Sequence, residues 1–274
     1  FKLLKWLTSV GIPPILSGVD GSSHMLFLKN ELPEVWKKTY KVMEPSDYIN
    51  LKLTGKFQTN ENIGFTYAMI KKAGWSKGTY DNSLIKFLGL DLDKYPDIVP
   101  VCDNLGSPKK EVIDYLGISE DVSVFSGMQD TTACMLGGGA FDPMDAVIEI
   151  GTTLNTGVVL DTRTIDILRG IYSVSSPVKD RFIMVGEPGA GAKSLNYLLN
   201  NLLRVEDSLS KINDESDEHH AAIADKMAAQ SPVGSNGVVF LPWIFGSTFP
   251  EPDTNMRGGF INLSPENTRN DMIR

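Results

Sequence analysis

With 274 residues, 42% of them apolar, this chain can bury a sizeable core and has room for one large or two medium domains. Its 26 Lys and Arg against 34 Asp and Glu leave a formal charge of −8, which argues against a nucleic-acid partner, whose phosphates demand clustered cations. No run of about 18 apolar residues occurs, so no bilayer span is expected, and composition points to a soluble, cytoplasmic α/β protein.

Residues 1–7 form a short amphipathic segment that Gly11 and Pro13-Pro14 interrupt, too broken for a secretory signal. Helices are expected over 25–29, over 34–43 with Pro33 at a first-turn position, and over 45–54 with Gly55 as the stop. The pattern then predicts a helix over 59–72 running to Gly74, a short one over 83–88, a loop through DLDKYPDIVP, and a small helix over 109–116 ending at Gly117. A helix-rich first part of this kind suits a layer packed on a sheet whose strands lie elsewhere in the chain.

Residues 122–125 read as a buried strand, followed by a sharp turn ending at Asp130 and a short apolar helix closed by Gly137-Gly138-Gly139. A strand over 146–150 enters Gly151-Thr152-Thr153 and leaves along 158–160. Asp180-Arg181 makes a turn before a strand over 182–185, and the loop GEPGAGAK leads into a helix over 194–203. A charged segment, 205–220, precedes a helix over 221–230, a strand over 238–241 and a Pro/Gly-rich loop; residues 267–274 read as the first turn of an unfinished helix. Helix-rich gives way to strand-rich around Phe141-Asp142-Pro143, the best candidate for a domain boundary. Cys102 and Cys134 lack metal-ligand spacing and are expected as buried, reduced thiols. His219-His220 lie in a polar run and give no zinc pattern.

Three stretches could carry chemistry. GEPGAGAKS, residues 186–194, nearly spells a phosphate-binding loop, but Ala192 separates Gly191 from Lys193. One extra residue turns Lys193 by about 100° around the following helix, so the stretch is read as a flexible connection whose glycines allow close approach to a nucleotide. Asp130 stands before the helical run TTACML, where an N-cap role worth about 1 kcal/mol is one reading and a general base the other. Gly151-Thr152-Thr153 is either an ordinary turn or a donor set for phosphate oxygens. Phosphoryl transfer needs a positioned base near a hydroxyl and donors on the phosphates, which is what the last two could supply together.

These residues resemble the FGGY family of carbohydrate kinases. SGMQDTTACMLGGGA followed by a strand and IGTT is similar to that family's G-x-x-D…A-x-x-x-G-x-G…IGTS region. EVWKKTYKVMEPSDYINLKLTGKF, then Asp97-Ile98-Val99-Pro100 with Gly106, then NGVVFLPWIFGSTFPEPDTNMRGGFINLS resemble further family blocks in the family's order. Two positions depart: His24-Met25-Leu26-Phe27-Leu28 replaces a Lys-Leu-x-Trp-Leu pattern, and Gly246-Ser247-Thr248 replaces Gly-Glu-Arg. The opening Asp-x-Gly-Thr phosphate loop and the closing adenine site of the family have no counterpart here.

The resemblance implies an α/β, RNase H-like (actin-like ATPase) fold of two domains, each incomplete in this chain. Residues 1–141 would be the C-terminal part of the N-terminal sugar-binding domain, and 142–274 the first part of the C-terminal ATP-binding domain. It implies an ATP-dependent kinase of a pentulose or related sugar or polyol, xylulokinase-like, with the chain alone inactive and domain closure excluding water. Asp130 would be the catalytic base and, with Gln129, would contact the sugar. Gly151, Thr152 and Thr153 would bind ATP phosphates, and Gly189 and Gly191 would lie near the nucleotide. Mg²⁺ would accompany ATP, its carboxylate partner lying upstream, so no metal ligand is assigned. The partners are a small-molecule sugar and ATP, with no nucleic acid and no membrane; the oligomeric state stays open, a homodimer included. A non-catalytic sugar- or nucleotide-binding protein on a degenerate kinase scaffold is the alternative that the two departures leave standing.

Overall fold

Stop signals in the sequence set the early helices. α1 (Lys2–Lys5) passes into a π-helical turn, Trp6–Val10, which Gly11 ends at φ 93°. α2 (Gly21–Glu31) starts on Asp20, whose carboxylate accepts from Ser23 N at 2.9 Å. α3 (Pro33–Lys38) has Pro33 in its first turn, and α4 (Pro45–Thr54) runs from Pro45 to Gly55 at φ 78°. The helix expected over 34–43 is cut short. Thr39 is extended, and Val42 N donates to Lys94 O (2.8 Å), so this backbone serves a tertiary contact.

The computed structural model describes residues 2–11, 18, 20–71, 78–166, 169, 171–198, 217–247 and 251–274. Their contacts divide the chain into two compact units, Phe1–Val147 with Gly157–Val185, and Ile148–Thr156 with Gly186–Arg274. Neither contains a described helix long and apolar enough to cross a membrane.

In the first unit, the expected helix over 59–72 is replaced by three short pieces. β1 (Gln58–Asn60) pairs in parallel with β2 (Asp97–Val99), α5 (Glu61–Gly64) makes one turn, and Phe65–Tyr67 is a 3-10 turn. The cause is Asn60, extended at φ −129° and ψ 171°, whose side chain accepts from Ile63 N and restarts the chain as a helix. Gly74, the expected stop, lies outside the described residues. α6 (Asn82–Phe87) and α2 pack Met25, Leu84 and Ile85 around Trp6, Tyr67 and Tyr95, all buried in one apolar cluster.

β3 (Asn104–Gly106), α7 (Lys110–Leu116) and β4 (Val124–Phe125) follow. The strand expected over 122–125 is therefore two residues long, with Phe125 53% exposed rather than buried. α8 (Asp130–Gly137) sets Met135 on a second cluster with Val174, Ile183 and Val185. Gly157 leaves room for the Met135 side chain, whose Sδ and Cγ would have to shift to admit a Cβ there. Cys134 is exposed, contrary to expectation, because α8 turns Met135 rather than its neighbour inward; Cys102 is half-buried, and no disulfide joins the two.

A five-stranded sheet has the order β5-β6-β9-β8-β7, from β5 (Ala146–Ile150), β6 (Thr153–Leu160), β7 (Ile165–Asp166), β8 (Ile171–Ser175) and β9 (Phe182–Ala190). β7, β8 and β9 pair antiparallel. β9 continues through Gly186–Ala190, which the sequence suggested was a loop. The second unit adds α9 (Ala192–Tyr197), α10 (Asp217–Ala228), the antiparallel pair β10 (Val239–Leu241) and β11 (Gly259–Ile261), and α11 (Arg269–Ile273). Residues 199–216, most of the expected charged segment, lie outside the described residues. The unfinished helix at the end is present, with a Thr268–Asp271 capping box.

Candidate active site

Asp130 is carried by a strand–turn–helix unit, β4, residues 126–129 and α8. Ser126 anchors the turn: it is 2% exposed, its hydroxyl donates to Pro100 O (3.1 Å), and it accepts from Asp103 N (3.0 Å). Gly127 then takes φ 72°, a value that L side chains rarely adopt. Gln129, extended at φ −64° and ψ 153°, is the N-cap of α8, and makes no side-chain cap bond. Asp130 is therefore the first helical residue and not the cap, one position away from the structural role the sequence allowed it. Its carboxylate is exposed and accepts from its neighbour Thr131, from N at 2.7 Å and Oγ1 at 3.4 Å.

The sequence reading passed over the residues that hold this turn. Asn60, Glu61 and Asn62, all nearly or fully buried, point three side chains in three directions. Asn60 Nδ2 donates to Ser126 O (3.2 Å), Ser126 Oγ (3.2 Å) and Gly127 O (3.0 Å). Asn62 Oδ1 accepts from Gln129 N (2.7 Å), and its Nδ2 donates to Thr132 Oγ1 (2.8 Å) and Ser175 O (3.0 Å). Glu61 pairs with Arg163 and accepts from Ser175 Oγ (3.1 Å). A signal was available: the five consecutive polar residues from Gln58 to Asn62 are costly to bury unless they are bonded.

In the second unit, Gly151, Thr152, Thr153 and Gly191 are drawn together. Ala192 N donates to Gly151 O (2.7 Å), Gly191 N to Thr152 O (3.2 Å), and Gly151 N to Thr153 O (3.0 Å). Thr152 projects to solvent from this turn. Gly189 adopts φ 135°, open to glycine alone, and a Cβ on it would lie 3.4 Å from Gly246 O. The phosphate-loop pattern at 186–194 fails on geometry as well as spacing. Its first half is strand, and the Gly191 and Ala192 N–H groups are already spent on the 151–152 carbonyls. Lys193 is exposed on α9. Ser247, in place of the family's acid, is buried and exchanges both backbone bonds with Asp253 (2.9 Å each); Thr248 lies outside the described residues. Asp130 and Gln129 belong to the first compact unit, the glycine-rich turns to the second. Among the described residues, no group of three or more His, Cys, Asp or Glu could hold a metal.

Gly191 supports a test of its own. A methyl there would lie 2.5 Å from Gly151 O and 2.8 Å from Thr153 O, both backbone atoms that cannot rotate away. Gly191→Ala should destabilise this chain by about 1–3 kcal/mol through overpacking, read as a lower urea midpoint. A midpoint equal to wild type would show that the turn yields without loss.

Residues 14–137 match the family model of the FGGY family of carbohydrate kinases, N-terminal domain. The chain is 27% identical over 266 residues to the xylulose kinase of Staphylococcus epidermidis, covering 95% of this chain and 49% of that protein. It is 25% identical over 253 residues to the ribulokinase of the same species, covering 88% of this chain and 45% of the relative. The chain thus spans about half the length of the curated relatives it matches. Among solved structures, the xylulose kinase from Rhodospirillum rubrum superposes with a TM-score of 0.77 at 24% identity, over 100% of this chain and 52% of that one. That likeness shows the fold, a partial actin-like ATPase architecture of mixed helix and sheet.

Proposed function

We propose, for a chain that belongs to the FGGY family of carbohydrate kinases, that the whole protein transfers the γ-phosphoryl group of ATP to a hydroxyl of a pentulose or related polyol. Two observations support this, each within its own unit: an exposed carboxylate at the first residue of α8, and a Gly-Thr-Thr turn backed by Gly191. In this reading the domains divide at 141/142. Asp130 takes the proton of the acceptor hydroxyl as its oxygen bonds to the γ-phosphorus and the bond to the β-phosphate oxygen breaks, releasing ADP. Gln129 lies beside the sugar. Thr152, exposed, offers its hydroxyl to phosphate oxygens, with Gly151 and Thr153 shaping the turn and Gly189 and Gly191 allowing close approach. Mg²⁺, bound with the nucleotide, would neutralise phosphate charge; the described residues contribute no carboxylate cluster to it. The protein is read as cytoplasmic, and a homodimer is the assembly to look for by light scattering. The 274-residue chain alone is expected to turn over little or no sugar.

In the full-length protein, Asp130→Asn should lower ADP formation with D-xylulose by about 10²–10⁴-fold while ATP affinity stays close to wild type. Unchanged turnover would remove the base assignment. A second reading, a sugar- or nucleotide-binding protein without turnover, is favoured by the Ser247 replacement. Thermal stabilisation by ligand, without ADP formation on D-xylulose, D-ribulose, glycerol or gluconate, would select it.

A further inference from the structure

Asp130 has no anchor beyond its own neighbourhood. Its carboxylate is exposed, and its hydrogen bonds among the described residues run to Thr131 alone. The direction in which it points is therefore fixed by the backbone of 129–132, and what fixes that backbone lies on another element.

Asn62 is that element's contribution. Its side chain is fully buried, and its amide orientation is forced, because Gln129 N can only donate and Ser175 O can only accept. The oxygen holds the N-cap residue immediately before Asp130. The nitrogen holds Thr132 Oγ1, two residues after it, and the end of β8 through Ser175 O. One carboxamide thus clamps the first turn of α8 on both sides of the carboxylate and ties it to the sheet. Gln129 supplies no side-chain cap of its own; Asn62 takes the N–H of this N-cap residue from outside the helix, the bond that the N3 side chain of a capping box makes locally. Asn60 secures the preceding turn at Ser126 and Gly127, and the Glu61–Arg163 pair keeps α5 itself in place.

We propose that Asn62 is a positioning residue for phosphoryl transfer: its buried carboxamide holds residues 129 and 132 so that the Asp130 carboxylate meets the acceptor hydroxyl. This rests on the reading of Asp130 as the base. An error of about 1 Å in the placement of a catalytic group costs on the order of 10²-fold in rate. Asn62→Ala in the full-length protein should lower kcat by that order with D-xylulose and ATP, leaving the KM for ATP near wild type. Thr132→Val, which keeps the Gln129 bond and loses one of three contacts, should lower kcat by only a few-fold.

The reading of Asp130 and the role of Asn62 can fail separately. Turnover that survives Asp130→Ala sinks the base. If Asp130→Ala is inactive but a folded Asn62→Ala protein keeps wild-type kcat, the positioning role is wrong. A double variant, Asn62→Ala with Asp130→Ala, should have the same residual rate as Asp130→Ala alone, since Asn62 acts through Asp130; a further large drop would mean a general structural role instead. Hydrogen exchange on the 274-residue chain needs no activity. Asn62→Ala should speed exchange in residues 129–133 while α4 and α6 keep their protection, and unchanged protection at 129–133 would overturn the proposal.

Discussion

Arg163→Met is expected to destabilise this chain by about 3–5 kcal/mol, the range for breaking a buried ion pair from one side. Glu61 and Arg163 are buried to 5% and 14% of their side-chain exposure, within one compact unit. Burial raises the Glu61 pKa, and the Arg163 charge and its hydrogen bond only partly offset that, followed by the Ser175 hydroxyl. Without Arg163 the carboxylate keeps one neutral donor, so its charged form becomes costlier and its pKa climbs further. The sign follows. A carboxyl group whose folded pKa lies above its unfolded value stabilises folding at acid pH and loses that contribution as pH rises. The loss in Arg163→Met should therefore be larger at pH 8 than at pH 5. Adding Glu61→Gln should recover much of it, because the pair is then removed together. A urea midpoint within error of wild type at pH 8 would show that water reaches Glu61 and that the pair is not a dry one.

The same tripeptide shows where the sequence was legible and where it was not. Local signals placed the start of α3 and both ends of α4 and α7, because Pro33, Pro45, Gly55 and Gly117 act through their own backbone torsions. The stretch 59–72 failed because Asn60, Glu61 and Asn62 are spent on partners 66 to 114 residues away, which no local window contains. Gly186–Ala190 failed for a related reason. Its Gly and Pro residues read as a loop, yet β9 runs on to Ala190, past Val185 where its register with β8 ends, because its sheet partners are strands distant in sequence. The local settings of Asp130 and Gly151-Thr152-Thr153 were legible, since a carboxylate at a strand–turn–helix junction and a Gly-Thr-Thr turn between strands are local features. Their supports, Asn62 and Gly191, were visible only once the chain had folded back on itself.

Asp47→Asn should make this chain more stable at neutral pH and flatten its stability change between pH 4 and 7. Asp47 lies in the first turn of α4, where the helix dipole favours a negative charge by about 0.3–1 kcal/mol. Burial wins against it. The side chain is 0% exposed, neither oxygen has a hydrogen bond of normal geometry, and its pKa is pushed up to about 7. Desolvation is the main cause. Thr59 nearby and the Glu44 backbone relieve part of it, and the Glu44 charge adds to it. A folded value of about 7 against the ordinary value of 3.8 makes folding roughly 4 kcal/mol more favourable below pH 4 than above pH 7. That contribution is fully present in acid and is lost as pH rises through the folded pKa. Asparagine keeps the shape and cannot ionise, so urea unfolding of the variant should show a flatter pH profile and a higher midpoint at pH 8. Parallel profiles for the two proteins would mean that Asp47 is ionised in the folded chain, and that the unpartnered oxygens in the structure are hydrated in solution.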